Sequence, residues 1–374
     1  MKNTIYKYFV SEFTRYFVTT LFALSAIVWT VQAVNYLDLV IDDGHAFTIY
    51  FFYSFLNISK VLTKLIPFCF LIATILTILK MEKDNELIVL WTSGLNKIHI
   101  VNQIIRVSLI IMFLQLTLTV LVNPKLLNLS RSLLKNSELQ FVSSMFKEKK
   151  FNDTVEGLTI FIDEKMDNGV YKNVFIKDEG KILSSIGTKS STIFAKLGYV
   201  SDDEKNLILL NGSIQKLSPD GTINIVNFEK TSFNLAGIST KSISEPKMQE
   251  TSTLKIIKCI KGERINMHNC NATKKTSMDI KIEFNKRIGM PLFIPLIALV
   301  CCFLLSSRRD ETIYNLNKYI YFFIGFIILL VAEITVRYSG TSLNHATIYY
   351  LIPFVFIPII YYTLIRKFKY ENLY

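Results

Sequence analysis

Charge is in short supply in this chain: Asp, Glu, Lys and Arg make up 19% of its 374 residues, against about a quarter in water-soluble domains. With 51% hydrophobic residues and a mean hydropathy of +0.35, that shortage excludes an ordinary water-soluble body, and it excludes disorder. Five Cys are too few for a disulfide scaffold, and 14 Gly with 8 Pro exclude collagen-like or Gly/Pro low-complexity chains. The four His (His45, His99, His268 and His345) are far apart and form no H-E-x-x-H, so no metal site is expected. No G-x-x-x-x-G-K-[ST] phosphate loop occurs; Gly187-Thr188-Lys189-Ser190 lacks the spacing. This chain is therefore expected to bind no nucleotide by itself. G-x-S-x-G is absent too, and only Glu333 and scattered Asp offer acid/base groups, so an enzyme is a poor reading. The net charge of +12 suits nucleic acid only if the basic residues cluster. They do not.

What the chain has in abundance is long apolar runs. Crossing a bilayer core takes about 20 mostly apolar helical residues. Between Arg15 and Asp38 lie 22 consecutive uncharged residues, longer than the core of a removable signal peptide and without a convincing cleavage site. Similar runs occupy about 65–79, 107–123, 288–307, 319–332 and 346–365. Six spans result, in two groups of three around a long insert. Lys2, Lys7 and Arg15 precede the first span; Lys80, Lys83, Lys97 and Arg106 surround the second loop; Arg308, Arg309 and Lys318 precede the fifth span; Arg366, Lys367 and Lys369 follow the sixth. No Lys or Arg falls between Tyr36 and Ser59. Every second connection is basic, which places both termini in the cytoplasm and the insert outside.

Two spans are too short if cut at the nearest charge. Leu65 to Leu79 covers only about 22 Å, so the second span extends outward through Lys64 and towards Lys60. The fifth continues past Glu333 towards Arg337. Two accounts of these groups stay open: snorkelling of Lys64 with a Glu333–Arg337 pair at i,i+4 spacing, or a cationic rim that receives a lipid phosphate.

Within 125–285 the pattern changes. A polar helix-like stretch (126–146) gives way to period-two alternation at 158–165, 170–178, 191–200, 206–217 and 222–235, with turn signals Asp167-Asn168-Gly169, Asn211-Gly212 and Asp220-Gly221. Consecutive short strands without helices between them predict an antiparallel, jelly-roll-like β domain. The fold class is thus an α-helical membrane protein of six transmembrane helices (3+3) with an inserted all-β periplasmic domain: 1–124, 125–285 and 286–374. Cys69, Cys301 and Cys302 lie within spans and read as core; Cys259 and Cys270 lie outside, as free thiols or as a disulfide.

The second cytoplasmic loop carries the most informative text. Around 81–96, Glu86, Leu87, Leu90 and Trp91 recur at helical spacing, Glu82, Asp84 and Glu86 come early, and Gly94 ends the helix. An acidic helix with an exposed Leu/Trp stripe reads as a plug for a protein partner, against the blander reading of a helix at the lipid interface.

The residues Asp84-Asn85-Glu86-Leu87 through Ser93-Gly94-Leu95 resemble the D-S-E-L…A-G-[LIM]-S motif of the LptF/LptG (YjgP/YjgQ) permeases of lipopolysaccharide export. Leu65-Ile66-Pro67 resembles the family's L-x-P in its second span. The strands TIFAKLGYV and LILLNGSIQKL resemble A-x-x-G and L-x-N-G, and Phe284-Asn285-Lys286-Arg287-Ile288…Pro291-Leu292 resembles the start of its fourth span. The resemblance runs in order along essentially the whole chain. Two departures stand out: Ser59 replaces an earlier Pro, and 31–38 (VQAVNYLD) lacks the basic residues often found there. The acidic first loop, Asp42-Asp43-Gly44, is more LptF-like than LptG-like.

The resemblance implies a half-transporter: a permease subunit of an ABC-type transporter in a Gram-negative inner membrane. It pairs with a second permease (LptG or LptF) around a lipopolysaccharide cavity, is driven by an LptB-type ATPase dimer, and hands the lipid to an LptC-type periplasmic protein. ATP and Mg then belong to the partner. The ATPase-coupling residues are Asp84, Glu86, Leu87, Leu90, Trp91 and Gly94; the lipid-binding candidates are Lys60, Lys64 and Arg337. A competing expectation is a non-transporting scaffold that assembles envelope proteins through its β domain.

Overall fold

The computed structural model describes residues 2–41, 46–136, 148–153, 157–166, 169–179, 190–201, 206–217, 222–234, 247–263, 270, 274–306 and 314–371. The chain divides into two compact units. One comprises Met1–Val31, Asn57–Asn128 and Lys247–Tyr374; the other comprises Gln32–Leu56 and Leu129–Pro246.

Among the described residues, six helical stretches are long and apolar enough to cross a membrane: Thr4–Ile41, Phe47–Lys83, Lys97–Leu134, Lys275–Ser306, Leu316–Tyr338 and Leu343–Lys369. Helices suit a bilayer because each satisfies its backbone polar groups internally where no water can. The elements are α1 (Lys2–Asn35), α2 (Asp38–Ile41), α3 (Phe47–Lys83), α4 (Glu86–Thr92), α5 (Lys97–Thr117), a π turn (Leu118–Val122) and α6 (Asn123–Asn136). After the strands come α7 (Thr253–Ile260), α8 (Lys274–Gly289), α9 (Phe293–Cys302), α10 (Tyr314–Tyr338) and α11 (Leu343–Glu371). The apolar window of α3 is 67% buried and that of Lys275–Ser306 78%, against 11% for the α1 span. Those two segments therefore form the bundle interior. Phe70, Leu71, Ile78, Ile297 and Cys301 sit in its core, and the ring of Phe13 of α1 packs against that of Phe70 in a tilted pair at 5.5 Å.

The spans outrun the lengths expected between charges, because Lys and Arg at helix ends continue the helix. Glu82 illustrates this: expected early in a short helix, it belongs to the last turn of α3. Helix α3 runs unbroken through Ser59, whose hydroxyl bonds Asn123 of α6, a contact a Pro there could not make. Cys259 and Cys270 form a disulfide, which settles the alternative left open above. The loops with Asp42-Asp43-Gly44, Asp220-Gly221, Gly187-Thr188-Lys189 and Arg308-Arg309 lie outside the described residues, as do His45, His268, Asp167 and Asn168.

In the other unit, β1 (Leu158–Lys165), β2 (Val170–Asp178), β3 (Ser190–Val200), β4 (Asn206–Leu217) and β5 (Ile223–Asn234) form one antiparallel sheet in sequential order. One face buries Leu158, Ile160, Ile162, Val174, Ile176, Ile193, Ala195, Leu207 and Leu209. Phe151, Phe161, Phe175 and Phe194 line up in a stripe whose successive rings stand 4.7 Å (151–161), 6.2 Å (151–175) and 5.1 Å (175–194) apart.

The Asn211-Gly212 turn expected from the sequence does not exist; both residues lie inside β4. Asn211 is left-handed at φ 52°, and Asn173 in β2 at φ 50°. The ladder keeps register on both sides of them: Lys172 and Val174 pair Leu197 and Ala195, which pair Leu210 and Gly212, which pair Lys230 and Phe228. Alternation, however, breaks at this row. Tyr171 and Val174 are both buried, as are Ala195 and Gly198, although each pair is three residues apart. In β2 the left-handed Asn173 interrupts the two-residue period, and its amide Nδ2 donates to Asp163 of β1 at 3.1 Å; Ala195 and Gly198 of β3 follow their β2 partners Val174 and Tyr171 in the ladder. Gly212 is dictated by close approach: a Cβ there would stand 2.0 Å from the Phe194 carbonyl oxygen.

Candidate functional site

The first site lies where α3 ends. Asn85, left-handed at φ 60°, turns the chain from Lys83 into α4. Gly94, at φ 81°, closes α4: its N–H bonds the Trp91 carbonyl and that of Leu95 bonds the Leu90 carbonyl, both at 3.1 Å. This pair of bonds is a Schellman cap, which favours Gly at that place.

The stripe expected to be exposed faces inward. Leu87 is buried in the bundle core, Leu90 and Trp91 pack against that core, and Ile88 and Val89 are the exposed apolar pair. Lys97 holds the Trp91 ring from 5.7 Å. Of the acidic residues, Asp84 is exposed and Glu86 half-buried. The Tyr8 hydroxyl donates to Glu86 Oε1 at 2.7 Å, while Oε2 is buried with no partner among the described residues. Tyr8 and Glu86 line a groove of about 420 Å³ together with Thr4, Ile5, Met81, Asp84, Val89 and Leu90. One turn along α1, Glu12 pairs with Lys80 of α3 at 2.6 Å. Sequence reasoning missed Tyr8. The available signal was its spacing of four from Glu12, which puts two polar groups on one stripe of an apolar helix.

The second site is a cavity of about 310 Å³ towards the other end of α3. Its walls are Lys60, Thr63, Lys64 and Pro67 of α3, then Gln115, Thr119, Asn123, Leu127, Gln249, Glu283, Lys286, Arg287, Met290 and Glu333. Four cations and two carboxylates face it. Glu333 pairs with Lys286 at 2.5 Å, and Glu283 with Arg287 at 2.9 Å. Among the described residues Lys60 and Lys64 form no ion pair, so the cavity keeps a positive excess at those two ammonium groups. The Glu333–Arg337 pair of the sequence reading is replaced by Glu333–Lys286, because a facing helix brings a closer partner than the next turn does. Arg337 is exposed and lies outside this lining. Among the described residues no three His, Cys, Asp or Glu are grouped to hold a metal ion.

Comparison with known proteins covers both sites together. The family described as "Lipopolysaccharide export system permease LptF/LptG" matches residues 7–367. The chain belongs to the LptF/LptG permease family. It is a multi-pass membrane protein with a β domain inserted between its helices. It is also similar to "Uncharacterized protein RP871" of Rickettsia prowazekii (strain Madrid E), 27% identical over 239 residues, which is 63% of this chain and 64% of that relative. The match thus spans a little under two thirds of the relative's length.

The structure gives the Asn285-Lys286-Arg287 motif of this LptF/LptG-type chain a physical content: each residue binds a different element. Asn285 donates to Ser339 Oγ at 3.0 Å and accepts from the Tyr350 hydroxyl at 3.2 Å. Lys286 takes Glu333. Arg287, only 4% exposed, donates to Glu283, Thr253 Oγ1 and the carbonyls of Met248, Gln249 and Thr251 at 2.9–3.1 Å. Its donors are spent on structure, so it is a clamp for 248–253 rather than a ligand-binding cation. Removing one partner of a buried pair costs about 3–5 kcal/mol. Arg287→Ala is therefore expected to lower the melting temperature of the detergent-solubilised protein sharply. Arg287→Lys recovers only part of it, since an ammonium cannot reproduce the five-donor fork. Equal melting of all three proteins would remove the clamp.

Proposed function

We propose that this chain is a permease subunit that extracts lipopolysaccharide from the inner membrane and passes it to a periplasmic bridge, energised by a separate ATPase. One observation carries the reading: a single helix, α3, joins the two polar sites. Lys64 lines the cavity and Asp84, immediately beyond its end, lines the acidic groove. Twenty residues at 1.5 Å each set them about 30 Å apart, one bilayer core.

The physics of the task matches this layout. Withdrawing acyl chains from a bilayer costs about 0.8 kcal/mol per exposed methylene, so an unpowered permease cannot do it alone. Work enters at the groove around Glu86, where a partner's basic group satisfies the stranded carboxylate oxygen. The cavity at Lys60 and Lys64 holds anionic head-group oxygens. The basic flanks put both termini and α4 on the cytoplasmic side. A second permease of the family completes the acyl chamber. In the β domain, β5 is an edge strand with Ile223, Ile225 and Val226 exposed; it pairs with the next sheet of the bridge by strand addition.

The test is gentle solubilisation from the native membrane, affinity purification of the chain, and mass identification of what accompanies it. A nucleotide-hydrolysing subunit, a second permease and lipopolysaccharide are the expected companions. A preparation that contains none of them at stoichiometric level removes the transport reading and leaves the scaffold.

A further inference from the structure

Pro67 lies inside α3 and lacks the N–H that would bond the carbonyl of Thr63, four residues back. That carbonyl is instead satisfied from α5: Gln115 Nε2 donates to Thr63 O at 3.1 Å. A carbonyl accepts only from a donor, so this bond fixes which end of the amide is nitrogen. The other end, Gln115 Oε1, is then committed as an acceptor. It is buried with no partner among the described residues, on a side chain 2% exposed, and Gln115 lines the cavity that holds Lys60 and Lys64.

We propose that Gln115 Oε1 reads a hydroxyl or amide N–H of a phosphorylated sugar head group whose anionic oxygens sit at Lys60 and Lys64. The proposal rests on the head-group reading of the cavity and adds a residue that distinguishes a sugar phosphate from a plain lipid phosphate. Size agrees with it. A volume of about 310 Å³ is at the low end for ligand pockets, suited to one sugar with its phosphate and not to acyl chains. A site that offers a stranded acceptor favours the ligand that brings a donor, because otherwise the acceptor stays buried and unpaired.

Gln115 also supports the α3 backbone, so the two roles must be separated. Pro67→Ala returns an N–H to the Thr63 carbonyl; in that background Gln115→Leu removes the acceptor without stranding the backbone. The full chain, in lipid nanodiscs with its co-purifying subunits, is titrated with two labelled probes. One is lipid A, a phosphorylated acyl-glucosamine disaccharide; the other is phosphatidylmethanol, which carries a phosphodiester and no head-group donor. The expected result is that P67A/Q115L binds lipid A about 5- to 10-fold more weakly than P67A does, the equivalent of one neutral hydrogen bond, with phosphatidylmethanol unchanged. Equal loss for both probes, or loss for neither, overturns the proposal; the latter means that Oε1 meets only water. K60E/K64E serves as the separate arm. If it leaves both probes unaffected, the head-group reading of the cavity fails, whatever Gln115 does.

Discussion

Glu86→Lys is expected to uncouple the proposed transporter: on that proposal, ATPase co-purification and ATP-dependent release of lipopolysaccharide both fall by at least about 100-fold, while the chain still inserts and folds. The expectation follows from one carboxylate. Its Oε1 is held by Tyr8, and its Oε2 is buried without a partner. A stranded carboxylate oxygen costs on the order of 1–3 kcal/mol, which in the proposed complex a basic group from the ATPase returns on docking. Reversing the charge loses that gain and adds repulsion, in the range of 3–5 kcal/mol found when a buried charge pair is broken. Each 1.4 kcal/mol is tenfold. Folding is spared because the α1–α3 contact has its own Glu12–Lys80 pair and the tilted Phe13–Phe70 ring contact. A graded series sharpens the test. Glu86→Gln keeps an acceptor for Tyr8 but loses the charge, and is expected to lie between wild type and Glu86→Lys. Tyr8→Phe removes only the orienting hydroxyl and is expected to cost about tenfold. Wild-type release and unaltered ATPase capture in Glu86→Lys would dismiss the groove as a coupling site.

What could be read from the amino acids depended on which force acts locally. Bilayer thickness acts on every span alike, so apolar runs located all six helices, although their ends ran past the nearest charges wherever a long cation could continue the helix. Strand bounds at 158–165, 170–178 and 206–217 coincide with β1, β2 and β4, because alternation reports a sheet with one buried face. Asn211-Gly212 misled for a definable reason. The preference of Asn for left-handed backbone is genuine and is observed, but the chain uses it to break alternation within a strand rather than to reverse direction. Helical spacing at Leu87, Leu90 and Trp91 located an apolar face correctly and could not say whether the chain's own core or a partner covers it. The core does. Pairing at i,i+4 predicted Glu333 with Arg337, while tertiary structure supplied Lys286. Tyr8, Gln115 and the role of Pro67 depend on contacts between residues 52 or more positions apart, which no local pattern encodes.

Reversing the two lysines of the cavity, Lys60→Glu with Lys64→Glu, is expected to weaken photocrosslinking and binding of lipopolysaccharide by about 100-fold or more, and Arg337→Glu by less than about twofold. The sequence places all three as equals; the structure separates them. Lys60 and Lys64 line the cavity one helical turn apart, without ion pairs among the described residues, whereas Arg337 is exposed elsewhere on α10. Like charges at i,i+4 on a helix repel one another. An anion between them relieves that strain and forms charge-assisted bonds worth about 1.5–3 kcal/mol each. The neighbouring cations cannot substitute, since Lys286 is neutralised by Glu333 and the guanidinium of Arg287 is consumed by the 248–253 segment. Salt provides an independent check. Lys64 is exposed and Lys60 is half-buried, so raising ionic strength is expected to erode the Lys64 contribution first. Lys60→Gln alone then shows the flatter salt dependence in its lost affinity, and Lys64→Gln the steeper. If Arg337→Glu instead matches the double reversal, the lipid phosphates lie on the outer face of α10, and the cavity is a structural void between helices.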